Sequence, residues 1–196
     1  MPEHSFLSTA PSFTLDERKL LMEVARQALE LGVRSRESLA DLPGNENIHR
    51  PGGAFVTLRI RNRLRGCIGQ LPSQEPLIRV VAHCAKAVAL EDPRFEPVRA
   101  EELPKIEIEL SILSPLKNAI PEEIEPGKHG IMVSQGWKRG VLLPQVATQF
   151  HWDVIRFLEE TCVKAELERN AWKDPSTQIQ IFTAEILEEA EIRAGD

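Results

Sequence analysis

The period of the apolar positions changes several times along the chain, and each change marks an element. Over residues 15–31, Leu20, Leu21, Val24, Ala28 and Leu31 fall on one face of a 3.6-residue repeat, which predicts an amphipathic helix. Thr14 and Glu17 stand at capping-box spacing at its start, and Gly32 supplies a stop at its end. A short helical turn is expected over 38–42, and the turn formers of 45–53 read as a loop. From Ala54 the period falls to two. Val56, Leu58 and Ile60 alternate with Thr57, Arg59 and Arg61, the pattern of a half-buried strand. Asn62-Arg63 is expected to turn it into a second strand over 64–68. Residues 76–90 return to helical spacing through Leu77, Val80, Val81, Cys84 and Val88, and Asp92-Pro93 ends the helix.

Residues 105–113 alternate most cleanly, with Ile106, Ile108, Leu110 and Ile112 set against Glu107, Glu109 and Ser111. A long connection with three prolines follows over 114–130. Residues 131–133 and 137–143 form a hairpin around Gln135-Gly136. A helix covers 146–164 with a break near His151, and 178–186 is a last strand or strand pair. No regular βαβ rhythm emerges, so the fold class is α+β, mainly antiparallel sheet with packed helices.

Composition narrows the setting. The chain has 196 residues, enough for one domain or one domain with a small second lobe. Hydrophobic residues at 42% and charged residues at 28% exclude wholesale disorder. The formal net charge of −6 argues against a general nucleic-acid coat and leaves room for a local basic patch. Tyrosine is absent, which weakens any base-stacking platform. No apolar run approaches the ~20 residues of a membrane span, and the N-terminus, MPEHSFLSTAPSF, lacks the basic start and apolar core of a secretory signal. Cys67, Cys84 and Cys162 are odd in number and widely spaced, as expected of reduced thiols in a cytoplasmic protein. No paired spacing suits zinc, and GxGxxG, Walker A and GxSxG patterns are missing. No metal or cofactor is expected.

Candidate chemistry centres on Cys67. Gly66 and Gly69 flank it and let the backbone approach a ligand closely. Arg65, two positions away, shares its face in a regular strand, and a neighbouring cation favours thiolate over thiol. Two readings stay open: a nucleophilic or ligand-capturing thiol paired with Arg65, and a small cysteine packed beside glycines. Arg59, Arg61, Arg63 and Arg65 alternate, as an anion site or as the solvated face of a sheet. Arg94 can bind a substrate carboxylate or phosphate, or close its loop onto Asp92. His129 in a glycine turn can act as acid or base, in principle toward Cys67, or can be an exposed turn residue. Gln145 opens a helix after an apolar strand, as a ligand contact or as a capping element. Trp137, Trp152 and Trp172 read as packing residues.

The motifs also carry a resemblance. Leu64-Arg65-Gly66-Cys67-Ile68-Gly69 resembles the LRGCIG signature of the AMME chromosomal-region (AMMECR) domain family. Asp92-Pro93-Arg94-Phe95, Gly127-Lys128-His129-Gly130 and Leu142-Leu143-Pro144-Gln145-Val146-Ala147 match further segments in order, as do Trp152-Asp153 and Phe157-Leu158. The likeness spans residues 15–188. It departs at His151 and Glu166, where the family has glycine, a residue that often terminates helices. The resemblance implies an α+β fold with a larger and a smaller lobe and a cleft between them; the smaller lobe is expected within 52–115. It also implies a cysteine-centred site. Bacterial and archaeal members take their name from the AmmeMemoRadiSam system, which implies Memo-like and radical SAM partner proteins and the modification of a small molecule or a nucleic-acid base. Two functions therefore stand side by side: a cysteine-centred enzyme or enzyme subunit, and a non-catalytic module that presents a phosphate-bearing substrate or bridges partners.

Overall fold

The computed structural model of the protein describes residues 13–194; the N-terminal residues 1–12, His4 among them, lie outside that range. In chain order the elements are α1 (Leu15–Ser35), α2 (Glu46–His49), β1 (Gly53–Ile60), β2 (Arg63–Gln70), α3 (Leu77–Leu90), β3 (Ile106–Leu113) and β4 (Lys117–Asn118). They continue with β5 (Gly130–Gln135), β6 (Lys138–Leu142), α4 (Pro144–Gln149), α5 (Val154–Lys164), β7 (Gln178–Phe182), β8 (Ala184–Glu188) and α6 (Glu189–Ala194). The class is α+β. The chain forms two compact units, one running to Leu113 and resuming at Glu185, the other spanning Ser114–Ala184. Residues 52–115 thus belong almost wholly to the larger unit, because β1 and β2 pair into one sheet with β3 and β8. Among the described residues no helix is long and apolar enough to cross a membrane.

In the larger unit the sheet order is β2-β1-β3-β8, with β1 antiparallel to both β2 and β3. Ala54, Val56 and Leu58 of β1 and Ile106, Ile108 and Leu110 of β3 are buried in one core with the apolar faces of α1 and α3. The capping box forms: the Thr14 N–H donates to Glu17 Oε2 at 2.8 Å and the Glu17 N–H to Thr14 Oγ1 at 3.3 Å. The helix does not stop at Gly32. It runs on to Ser35 and ends at Arg36, whose φ is 65°. Gly32 serves helix packing instead, since a Cβ there would lie 2.8 Å from Lys86 Cγ. No helical turn forms over 38–42. The turn lies further on as α2, capped by the Asn45 side chain and anchored by the buried Ile48. The β1–β2 turn falls one position early, at Arg61 and Asn62, both left-handed at φ 50° and 62°, as a two-residue hairpin turn demands. Leu58 faces Gly66 whereas Arg59 faces Leu64, so Arg65 is the extra residue of a β-bulge.

In the smaller unit the order is β4-β7-β5-β6. Ile131, Val133, Ile179 and Ile181 pack with Phe157, Leu158 and Cys162 of α5. The expected break near His151 separates α4 from α5. The Trp152 N–H returns to the Ala147 carbonyl at 2.9 Å and the His151 N–H to Thr148 at 3.2 Å. This is a Schellman ending with His151 in the left-handed position at φ 53°. The end of α5 repeats it, with the Leu167 N–H on Cys162 at 2.9 Å, the Glu166 N–H on Val163 at 3.0 Å and Glu166 at φ 58°. Residues 178–186 become two strands in different sheets. Trp137 is no packing residue: it sits at the β5–β6 hairpin tip, 81% exposed. Trp152 stacks on the exposed Phe150 with ring centroids 5.0 Å apart and packs against the second core.

Candidate functional site around Cys67

Cys67 lies in β2, an edge strand. A Cβ on Gly66 would meet Val88 of α3 at 3.0 Å, so Gly66 faces the helices and Cys67 faces the other way. The main chain of Cys67 turns outward from the sheet. Its N–H donates to Asp92 Oδ2 at 2.8 Å, and its carbonyl accepts from Arg94 Nη2 at 3.0 Å. Thr57 of β1 stands opposite. With no ladder bonds between them, the two residues form the kind of antiparallel pair whose side chains come closest. The Thr57 hydroxyl accordingly donates to Cys67 Sγ at 3.4 Å.

Asp92 and Arg94 take the place of a neighbouring strand at this point. Asp92 is buried, and its carboxylate also accepts from the Arg94 N–H, Nε and Nη2 at 3.1, 2.9 and 2.7 Å. The Arg94 guanidinium, helped by the Cys67 and Arg94 N–H groups, holds the Asp92 carboxyl far below the usual carboxylate range. Asp92 in turn raises the Arg94 pKa. Arg94 remains 54% exposed and lies over the Phe95 ring, 5.5 Å from its centroid.

Arg65 is not the partner of Cys67. Its guanidinium forks onto Glu102, with Nε to Oε1 at 2.8 Å and Nη2 to Oε2 at 3.1 Å, and it also donates to the Glu96 carbonyl at 3.0 Å. The bulge places Arg65 out of step with the strand, and the turn over Ala100–Lys105 brings Glu102 to meet it. That contact lowers the Glu102 pKa. The arginine row is divided accordingly. Arg59 pairs with Glu109 at 3.3 Å and Arg65 with Glu102, whereas Arg61 and Arg63 are exposed at the hairpin turn. The glycines of the motif serve packing on both faces, because a Cβ on Gly69 would lie 2.2 Å from the Phe55 ring.

The three thiols differ sharply. Cys84 and Cys162 are buried and Cys67 is half-buried. Burial pushes the Cys84 thiol up to about 12 and raises that of Cys162. Among the described residues no three His, Cys, Asp or Glu side chains converge on a metal-sized site.

A sequence model of the AMMECR1 family matches residues 22–187. The chain belongs to the AMMECR1 family. It is 40% identical over 184 residues to a protein of Methanothermobacter thermautotrophicus, covering 89% of this chain and 95% of that one. A Methanopyrus kandleri protein is 37% identical over 188 residues, covering 91% of each chain. The crystal structure of an uncharacterized protein from Pyrococcus horikoshii superposes with a TM-score of 0.77 at 38% identity, covering 86% of this chain and 89% of that one.

The other two residues singled out in the AMMECR1 motifs lie in the smaller unit. His129 is buried. Its Nδ1 accepts the Glu125 N–H at 3.1 Å, and burial lowers its pKa. It closes the turn of residues 126–129, where Gly127 has φ 88°. Gln145 is exposed in the first turn of α4. In the larger unit the reading of single residues passed over Thr57. Its signal was cross-strand register, which the alternation of 54–61 supplies only once the turn and the bulge are placed. The role of Asp92 as a main-chain anchor was missed as well, although its place beside Arg94 was not.

Proposed function

We propose that this AMMECR1 domain is a cysteine-centred enzyme or enzyme subunit, with Cys67 as the nucleophile. The observation that carries the reading is the Thr57 hydroxyl donating to Cys67 Sγ at 3.4 Å, on the one cysteine among the three that is not buried. The hydroxyl and the strand register hold the sulfur in place on the sheet face turned away from the helices. Asp92 and Arg94 fix the main chain beneath it, so the thiol is held by groups that need not move during attack. The resemblance of the motifs supports Memo-like and radical SAM partners and the modification of a biomolecule such as a nucleic-acid base, and three free cysteines support a cytoplasmic setting. Thiol addition, group transfer and hydrolysis all fit the arrangement.

Native-state alkylation with iodoacetamide, mapped by peptide mass spectrometry, tests it. Cys67 is expected to react in the folded protein while Cys84 and Cys162 stay protected. If Cys67 is silent until the protein unfolds, the nucleophile reading fails. Mixing the purified protein with a Memo-like and a radical SAM protein on a sizing column tests the partners.

A second reading, a non-catalytic binding module, draws on the exposed Arg61 and Arg63 at the hairpin turn. Salt-dependent RNA binding that survives Cys67→Ser favours it.

A further inference from the structure

We infer that the substrate of the Cys67 site carries an anionic group, a carboxylate or a phosphate, and that Arg94 receives it through its unfilled Nη1 edge. This rests on the reading of Cys67 as nucleophile and adds the chemical class of what it attacks.

The argument starts from the donors of Arg94. Its Nε and Nη2 are spent on Asp92 and on the Cys67 carbonyl. Nη1 has no hydrogen-bond partner among the described residues, and the side chain is 54% exposed. What sets this edge apart is its place, on a side chain tied through Nη2 to the main chain of the half-buried cysteine itself. The guanidinium is held rigidly on one side by a buried carboxylate and on one face by Phe95, so the free edge is pre-organised and costs little to engage. Its position follows from Nη2, which lies 3.0 Å from the carbonyl oxygen of Cys67 itself. The sulfur and the carbonyl oxygen of one residue are a few ångströms apart by covalent geometry. Nη1 belongs to the same guanidinium, so one small substrate can reach both this edge and Sγ. The neighbouring Arg65 differs in exposure: its Nη1 is also without a partner among the described residues, but its side chain is only 16% exposed and its other donors go to Glu102 and the Glu96 carbonyl.

Two alkylating reagents that differ only in charge test this on the full-length protein. Iodoacetate carries a carboxylate next to its electrophilic carbon, and iodoacetamide carries a neutral amide. With either, the Cys67 sulfur forms a carbon–sulfur bond, the carbon–iodine bond breaks, iodide leaves with the electron pair and the thiol proton passes to solvent. The readout is the ratio of the two rate constants at Cys67, compared with the same ratio in the urea-unfolded chain. A charge-assisted hydrogen bond raises the native ratio about tenfold over the unfolded one. Arg94→Ala is expected to bring the ratio back to the unfolded value, and Arg94→Lys to restore part of it.

Competition gives a readout that needs no variant. Inorganic phosphate or acetate is expected to slow iodoacetate saturably, and the stronger competitor tells phosphate from carboxylate. A native ratio equal to the unfolded one, or a raised ratio that Arg94→Ala leaves unchanged, overturns the inference while the nucleophile reading stands. Silence toward both reagents overturns the nucleophile reading and this inference with it.

Discussion

Thr57 and Cys67 face each other across the β1–β2 hairpin as a pair without ladder bonds, and the hydroxyl of one donates to the sulfur of the other at 3.4 Å. Such a pair leaves the N–H and carbonyl of Cys67 pointing outward, and Asp92 and Arg94 take them up.

Removing that donor is expected to slow the thiol. Thr57→Val keeps the shape of the side chain and loses one hydrogen bond of about 1 kcal/mol. Alkylation of native Cys67 by iodoacetamide at neutral pH should fall about fivefold, and Thr57→Ser should keep most of the rate. Equal rates in wild type and Thr57→Val would show that the hydroxyl does not act on the sulfur.

The helix ends of the smaller unit offer a stability test. His151 and Glu166 occupy left-handed positions in Schellman endings, the place that glycine most often takes. A side chain there costs about 1–2 kcal/mol, against about 0.5–1 kcal/mol for the extra freedom glycine loses on folding. His151→Gly and Glu166→Gly are each expected to stabilise the protein by about 0.5–1 kcal/mol, read as a higher urea midpoint. A lower midpoint for both would mean that the side chains make contacts outweighing the backbone strain.

Glu17 should contribute to acid sensitivity alongside Asp92. The Glu17 carboxylate accepts from the side chains of Asn45 and Asn47, each at 2.9 Å, and from the Thr14 N–H. These bonds lower its pKa from 4.5 to about 2. A lowered folded-state value means stability that is full above the unfolded value and lost as pH falls through the folded one. Glu17→Gln is expected to cost about 2 kcal/mol at pH 7. The gap between the two proteins should shrink between pH 5 and pH 2, as urea titrations at several pH values would show. A gap independent of pH would remove the charge from the explanation.

Should the binding module be the function, the hairpin turn limits its electrostatics. Four free arginines on phosphates would give a salt slope of about −3.6. Arg59 and Arg65 are engaged by Glu109 and Glu102, so Arg61 and Arg63 alone give about −1.8. RNA binding followed from 50 to 200 mM salt separates these values, and Arg61→Ala should flatten the slope by about half.

What the sequence made legible follows from the range of each interaction. The alternation of Ile106, Ile108, Leu110 and Ile112 and the capping box of Thr14 and Glu17 are local patterns, and both elements form as read. Gly32 misleads because its small size answers to Lys86 on another helix, a contact no local pattern reveals. The site follows the same rule. Cys67 stands out in its motif, but its partner depends on a bulge. Counted back from the Arg61-Asn62 turn, a regular hairpin sets Thr57 opposite Gly66, and the extra residue Arg65 moves Cys67 into that place. The same bulge takes Arg65 away from the thiol and into the reach of Glu102.

The chain leaves the larger unit at Leu113 and returns to it at Glu185. During synthesis, every strand of the smaller unit's sheet has been made once Phe182 emerges, whereas the larger sheet still waits for β8. The segment that follows the smaller unit also carries Glu189, which is buried against Arg26 and accepts the Ile108 N–H at 3.1 Å. Residues made before the smaller unit are thus locked by residues made after it. Until then α1 and β3 lack the carboxylate that joins them, and the nascent larger unit is the one exposed to chaperones and proteases.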